Sequence, residues 1–94
     1  MWFVYIVRCA DDTLYTGIAK NVARRVEEHN SSKLLAASYT RGRRPVAQVY
    51  EEVVQTRSAA ARREYQIKQM TRAAKEELVG KRRVGKRRTP RRDP

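Results

Sequence analysis

Five residues of this sequence could do chemistry together: Tyr5 and Tyr15, Arg25, His29 four residues beyond it, and a distant carboxylate, Glu64. Cutting a phosphodiester requires an activated water, neutralisation of the charge that builds on the phosphate, and stabilisation of the leaving oxygen. The planar donor fork of Arg25 suits the second task. Glu64 can hold a divalent cation, Mg²⁺ or Mn²⁺, that takes oxygen ligands and keeps several waters. A phenol serves as a base only if its pKa of about 10 is lowered, as a nearby metal ion or Arg25 would do. The same residues also permit a structural account, with Arg25 paired to Glu64 and both tyrosines packed in a small core. Buried ion pairs of that kind contribute little net stability, so a small protein has little use for one.

Positioning these groups falls to a hairpin and two helices. Trp2 to Val7 is an unbroken apolar run, too short for a helix, and reads as a strand covered on both faces. Thr13 to Ala19 reads as a second strand, joined through Ala10-Asp11-Asp12. A two-residue turn at Asp11-Asp12 would put the two tyrosines on opposite faces. A three-residue loop, Ala10 to Asp12, pairs Tyr5 with Gly17 and Val7 with Tyr15, so both phenols share a face. The three-residue register is expected, with Gly17 leaving open room beside Tyr5 for a ligand or backbone. Tyr5 is therefore the first candidate for the base.

Asn21 is placed to cap a helix from Val22 to about Asn30, with Val22, Val26 and His29 on its inner face and Arg25 beside it. His29 has no second histidine or nearby cysteine, which argues against zinc. It is either a packed, hydrogen-bonded imidazole or a substrate contact. Ser31 to Pro45 has no clear periodicity, and one helical turn is expected at Leu34 to Ala37. Within it, Tyr39-Thr40-Arg41 and Gly42-Arg43-Arg44-Pro45 could stack a base or hold phosphates, or form an exposed loop with Tyr39 on the core. Val46 to Val54 reads as a third strand. Thr56 or Ser58 then caps a helix to about Met70, whose core-facing line holds Ala60, Glu64 and Ile67. A carboxylate on such a line needs a partner or a task. A last helix begins at Thr71 and is expected to end at Gly80.

The whole reads as one α+β domain: a three-stranded antiparallel sheet flanked by helices, in the order β-β-α-β-α-α, over residues 1–79. Residues 80–94 are expected to be a disordered basic tail. The formal net charge is +12, and the tail carries eight Lys and Arg against one Asp. Such a balance points to a polyanion, with nucleic acid the usual one, although a merely solubilising tail has the same composition. Cys9 stands alone, which excludes an internal disulfide, suits a reducing cytoplasm and fits a buried strand-end residue. No apolar run reaches membrane-spanning length.

Two short strand motifs, Phe3-Val4-Tyr5 and Tyr15-Thr16-Gly17, together with Arg25 and His29 in Arg-Val-Glu-Glu-His-Asn and Glu64 in Arg-Arg-Glu-Tyr-Gln-Ile-Lys, resemble the GIY-YIG nuclease superfamily. The resemblance is nearest to its small stand-alone bacterial members, similar to the N-terminal nuclease domain of the UvrC repair protein. It implies a Mg²⁺-dependent or Mn²⁺-dependent DNA endonuclease, with RNA not excluded, acting on branched, nicked or single-stranded DNA in repair or recombination. It further implies a tyrosine as general base and Glu64 as the metal ligand. The candidate nucleic-acid contacts are Gly17, Tyr39, Arg41, Arg43, Arg44 and Lys68, joined in the tail by Lys81, Arg82 and Arg83. Phe3 replaces the first motif's glycine and Thr16 the second motif's isoleucine; neither position supplies the chemistry. The segment between His29 and Tyr39 is longer than is usual for the family. No separate DNA-binding domain is expected within these 94 residues, so the basic tail or a protein partner would supply specificity. The alternatives are a non-catalytic nucleic-acid-binding module and a nuclease subunit that waits for a partner. Removing residues 81–94 is expected to weaken DNA binding and flatten its dependence on salt; titrations at several salt concentrations check this, and an unchanged slope would show that the tail makes no contact.

Overall fold

Val4, Tyr5, Ile6 and Val7 are all buried because β1 (Trp2–Arg8) is the central strand of the sheet, with helices on both faces. The computed structural model describes residues 1–32 and 35–81. The strands β1, β2 (Leu14–Ala19) and β3 (Ala47–Val54) form an antiparallel sheet in the order β2-β1-β3. The helices are α1 (Val22–Ser31), a single turn α2 (Ser38–Arg41), α3 (Arg57–Lys68) and α4 (Arg72–Lys81).

The hairpin takes the three-residue register. Tyr5 pairs with Gly17 and Val7 with Tyr15. The loop closes through Cys9 and Thr13, and Asp12 adopts a positive φ of 70°, the left-handed residue that ends this class of hairpin turn. Aspartate tolerates that conformation better than most side chains. The consequence is an alternation in which Phe3, Tyr5, Val7, Tyr15 and Ala19 share a cluster with Val22 and Val26 of α1. Val4, Ile6, Leu14 and Ile18 turn the other way and pack with Ala60 and Ile67 of α3 and Leu78 and Val79 of α4.

Each long helix starts where its cap stands. The Asn21 side chain accepts from the Arg24 amide, and the Thr56 hydroxyl accepts from the Ala59 amide, satisfying donors that a helix start leaves open. Arg8 ties α4 to the hairpin by gripping Glu76 with both arms of its fork, at 2.7 and 2.9 Å.

Three expectations shift. A one-turn helix lies at Ser38–Arg41, which makes the order β-β-α-α-β-α-α; of the turn expected at 34–37, residues 35–37 are not helical and Leu34 lies outside the described residues, while Thr40 of the observed turn is buried and anchors it. Helix α4 continues through Gly80 to Lys81, so Gly80 does not terminate it. The room expected beside Tyr5 is already filled. A Cβ on Gly17 would stand 2.6 Å from the Tyr5 oxygen and 2.7 Å from its Cζ, so glycine here lets the phenol lie across β2. The tail, with Arg82 and Arg83, lies outside the described residues.

Gly17→Ala is therefore expected to push Tyr5 off its partner and to destabilise the fold by about 1–3 kcal/mol. Urea unfolding of the variant beside the wild type measures this, and an unchanged midpoint would refute the contact.

Candidate active site

The Tyr5 hydroxyl sits 2.8 Å from His29 Nε2. His29 is fully buried, and its Nδ1 lies 2.8 Å from the hydroxyl of Thr40. The Thr40 hydroxyl is also 3.1 Å from the carbonyl of Ala37. This is a continuous polar chain from the helical turn α2, through α1, to the central strand. It satisfies three groups that would be costly to bury alone. His29 is thus the packed, hydrogen-bonded imidazole, set behind Tyr5.

Burial dominates the titration of both rings. It pushes the Tyr5 phenol up to about 12; Tyr15 and Glu64 raise it further, while Arg25 pulls it down. Burial also lowers His29 to about 4, reinforced by Arg25 and Arg44 and opposed by Glu28. The lowered phenol pKa expected from the sequence is not found. Arg25 does act on Tyr5, but desolvation of a phenolate inside the sheet outweighs it.

Arg25 from α1, Tyr15 from β2 and Glu64 from α3 all act electrostatically on the Tyr5 phenol. Arg25 bonds to Glu28 at 3.0 Å and to the Leu35 carbonyl, both through Nη1. Its salt bridge is with Glu28, not with Glu64. Glu64 is 23 % exposed and pairs with Lys68 at 3.3 Å. Tyr15 meets His29 edge-on, with ring centroids 5.4 Å apart. Tyr5, Tyr15 and His29 are thus in direct contact, and Glu64 connects to Tyr15 through Lys68.

The nominated nucleic-acid contacts divide. Lys68 lies at the site, its Nζ 5.8 Å from the Tyr15 ring centroid. Tyr39 is exposed; it stacks on Tyr15 at 5.6 Å, and the Arg43 guanidinium stands 4.1 Å from its ring centroid. Arg43 also donates to Asp11 and to the Tyr39 carbonyl, and Arg44 donates to the carbonyls of His29 and Ser32. Both are engaged in holding the connection after α1. Arg41 is exposed and donates to the Ala36 carbonyl at 3.3 Å. Gly17 is buried under Tyr5, and Lys81 is exposed at the end of α4. Thr40 and Glu28 were not nominated. Thr40 carried a signal, a lone threonine inside the Tyr39-Thr40-Arg41 stretch, whereas Glu28 reads as one more outward charge.

Among the described residues, no three His, Cys, Asp or Glu side chains gather to hold a metal. One carboxylate beside a phosphate-sized anionic ligand still suits Mg²⁺, which keeps most of its waters and shares substrate oxygens.

A family model described as the GIY-YIG catalytic domain matches residues 1–77. The chain belongs to that family, and its fold is of the nuclease type. Within the family its relatives are UPF0213 proteins. It is 60 % identical over 78 residues to one from Desulfotalea psychrophila, covering 83 % of this chain and 70 % of the relative. It is 52 % identical over 80 residues to one from Staphylococcus aureus, covering 85 % and 95 %. The solution NMR structure of a UPF0213 protein from Bacillus halodurans matches with a TM-score of 0.54 at 41 % identity, over 85 % of this chain and 84 % of that one.

His29 also makes stability depend on pH. Its folded pKa of about 4 lies below the ordinary value of 6.5. Between those values the unfolded chain takes up a proton that the folded state refuses, so stability falls as pH drops from 6.5 toward 4 and then levels. The expected loss is about 2–3 kcal/mol. Urea unfolding at pH 7 and pH 4.5 measures it, and His29→Asn should remove most of the difference.

Proposed function

We propose that this chain is a divalent-metal-dependent endonuclease that hydrolyses phosphodiester bonds in DNA. The observation that supports this most is that groups from three other elements act electrostatically on the Tyr5 phenol. Arg25 uses only Nη1 toward Glu28 and Leu35. Its fork also acts on the Tyr5 oxygen, and a guanidinium carries paired donors that match two oxygens of a phosphate. Glu64 would hold Mg²⁺ or Mn²⁺, which supplies Lewis-acid stabilisation of charge on the phosphate and the leaving oxygen.

Tyr5 and His29 divide the work of the base. A water gives a proton to the Tyr5 oxygen while the Tyr5 proton passes to His29 Nε2. The resulting hydroxide attacks phosphorus. The bond from phosphorus to the leaving oxygen breaks with its electron pair, and that oxygen takes a proton from solvent. Tyr5 gains one proton and loses one, so its high pKa is not the barrier that it would be for a free phenolate. The imidazolium is disfavoured first by burial and next by Arg25. A phosphate bound at Arg25 offsets that second cause, which eases the transfer of the proton to His29 while burial still opposes it.

One observation favours the alternative of a binding module without catalysis: the Lys68 ammonium already sits on Glu64. This partly exposed helical pair is worth little, about 0.3–0.5 kcal/mol, and a divalent ion with a phosphate would displace it readily.

Glu64→Ala is expected to lower cleavage by about 10³-fold or more, the several kcal/mol that a metal's charge contributes, with DNA affinity changed less than about threefold. A panel of duplex, flap and single-stranded DNA and of RNA, each with Mg²⁺ or Mn²⁺, tests this beside the variant. Cleavage that survives the substitution in a clean preparation would sink the assignment.

A further inference from the structure

The direction of the hydrogen bonds behind Tyr5 is fixed by the partners. A neutral imidazole carries one N–H and one bare nitrogen. The Tyr5 oxygen lies 2.8 Å from His29 Nε2. Its other polar neighbour at close range, Arg25, can only donate. A buried phenol proton with no other acceptor must point at Nε2, which is then bare. The imidazole proton is left on Nδ1, facing Thr40 Oγ1 at 2.8 Å. The Thr40 hydroxyl can accept it because its own hydrogen has an outlet, the Ala37 carbonyl at 3.1 Å.

We propose that Thr40 is a positioning residue that locks His29 in the Nδ1–H form, so that Nε2 stays open to receive the Tyr5 proton. With the other form, Nε2–H would donate to Tyr5 and the relay would be blocked at its first step. A threonine does this better than an amide or a second imidazole, because its hydroxyl turns to accept from His29 while donating to the backbone behind it. Both groups are fully buried, so water cannot substitute for either. The helical turn α2 exists at this point in the chain to deliver that hydroxyl: Thr40 is its one buried residue.

The role in catalysis rests on the Tyr5–His29 relay proposed above, but the tautomer does not, and the two can be tested apart. The protein has a single histidine, so long-range ¹⁵N–¹H NMR at neutral pH reads His29 without assignment. The expected wild-type spectrum has a pyrrole-type Nδ1 and a pyridine-type Nε2. Thr40→Val keeps the shape but cannot accept a hydrogen bond, and should mix the tautomers or reverse them. Thr40→Ser should restore the wild-type pattern. On the substrate that the cleavage panel identifies, Thr40→Val should lower kcat about 10–100-fold, the range found when a residue that orients a functional imidazole is lost. KM should hold and Thr40→Ser should recover most of the rate. A wild-type Nε2–H tautomer would overturn the proposal even if the protein cleaves DNA, as would a Thr40→Val protein that keeps both the Nδ1–H form and the wild-type kcat. Absence of cleavage on every substrate would instead count against the nuclease assignment, with the spectra still deciding what Thr40 does.

Discussion

The cross-strand pair of Tyr5 with Gly17 is the constraint on which the site depends. The register places the two residues opposite each other, and the missing side chain on Gly17 lets the phenol lie over its backbone. A slip of one residue would turn every β2 side chain to the other face. Tyr15 would then leave the cluster it shares with Tyr5 and enter the face built on Ala60 and Ile67. One local event, Asp12 taking the left-handed conformation at the end of a three-residue loop, thus decides whether the two phenols meet at all.

That register buries the Tyr5 phenol, and a buried phenol needs a partner. His29 meets the need, and meeting it brings in Thr40 and the turn that carries it. This accounts for a connection that has no regular periodicity yet is held firmly. Arg44 donates to the carbonyls at the end of α1, Asn30 exchanges two hydrogen bonds with Val46, and Arg43 joins the loop to Asp11. Polar networks of this kind specify one arrangement because each unsatisfied member would be expensive. Their burial also raises the energy of ionised states, which is why Tyr5 and His29 move in opposite directions from their ordinary pKa values.

Much of this was legible in the residues. The unbroken run from Trp2 to Val7 signalled a strand covered on both sides, and Val4 to Val7 are buried. Asn21 and Thr56 marked the helix starts where they occur. The α+β architecture and the shared face of Tyr5 and Tyr15 were also within reach, because motif spacing and hairpin register are nearly the same information. Three features were not. The turn at Ser38–Arg41 is set by a tertiary hydrogen bond, which no local pattern reports. The filled space at Gly17 reflects a rotamer, since a glycine across from a tyrosine is as consistent with a cavity as with a close contact. The sign of the Tyr5 shift is a contest between burial and Arg25, and a sequence names the contestants without giving the depth at which they act.

Charge was the loudest signal in the composition and the least specific. A surplus of cations says that a polyanion is near, but each cation can touch phosphate only with donors that the fold leaves open. Arg8 is committed to Glu76, Arg63 to Glu52, Arg43 to Asp11 and the Tyr39 carbonyl, and Arg44 to the end of α1. These arginines shape the domain around the site. Arg25 differs from them because Glu28 and Leu35 engage a single nitrogen, while the guanidinium also acts on the Tyr5 phenol. Lys68 differs too, since it pairs with Glu64 one turn away at 3.3 Å and stands near the Tyr15 ring. In a chain this rich in positive charge, what each described cation can reach is set by the partners that the fold has already given it.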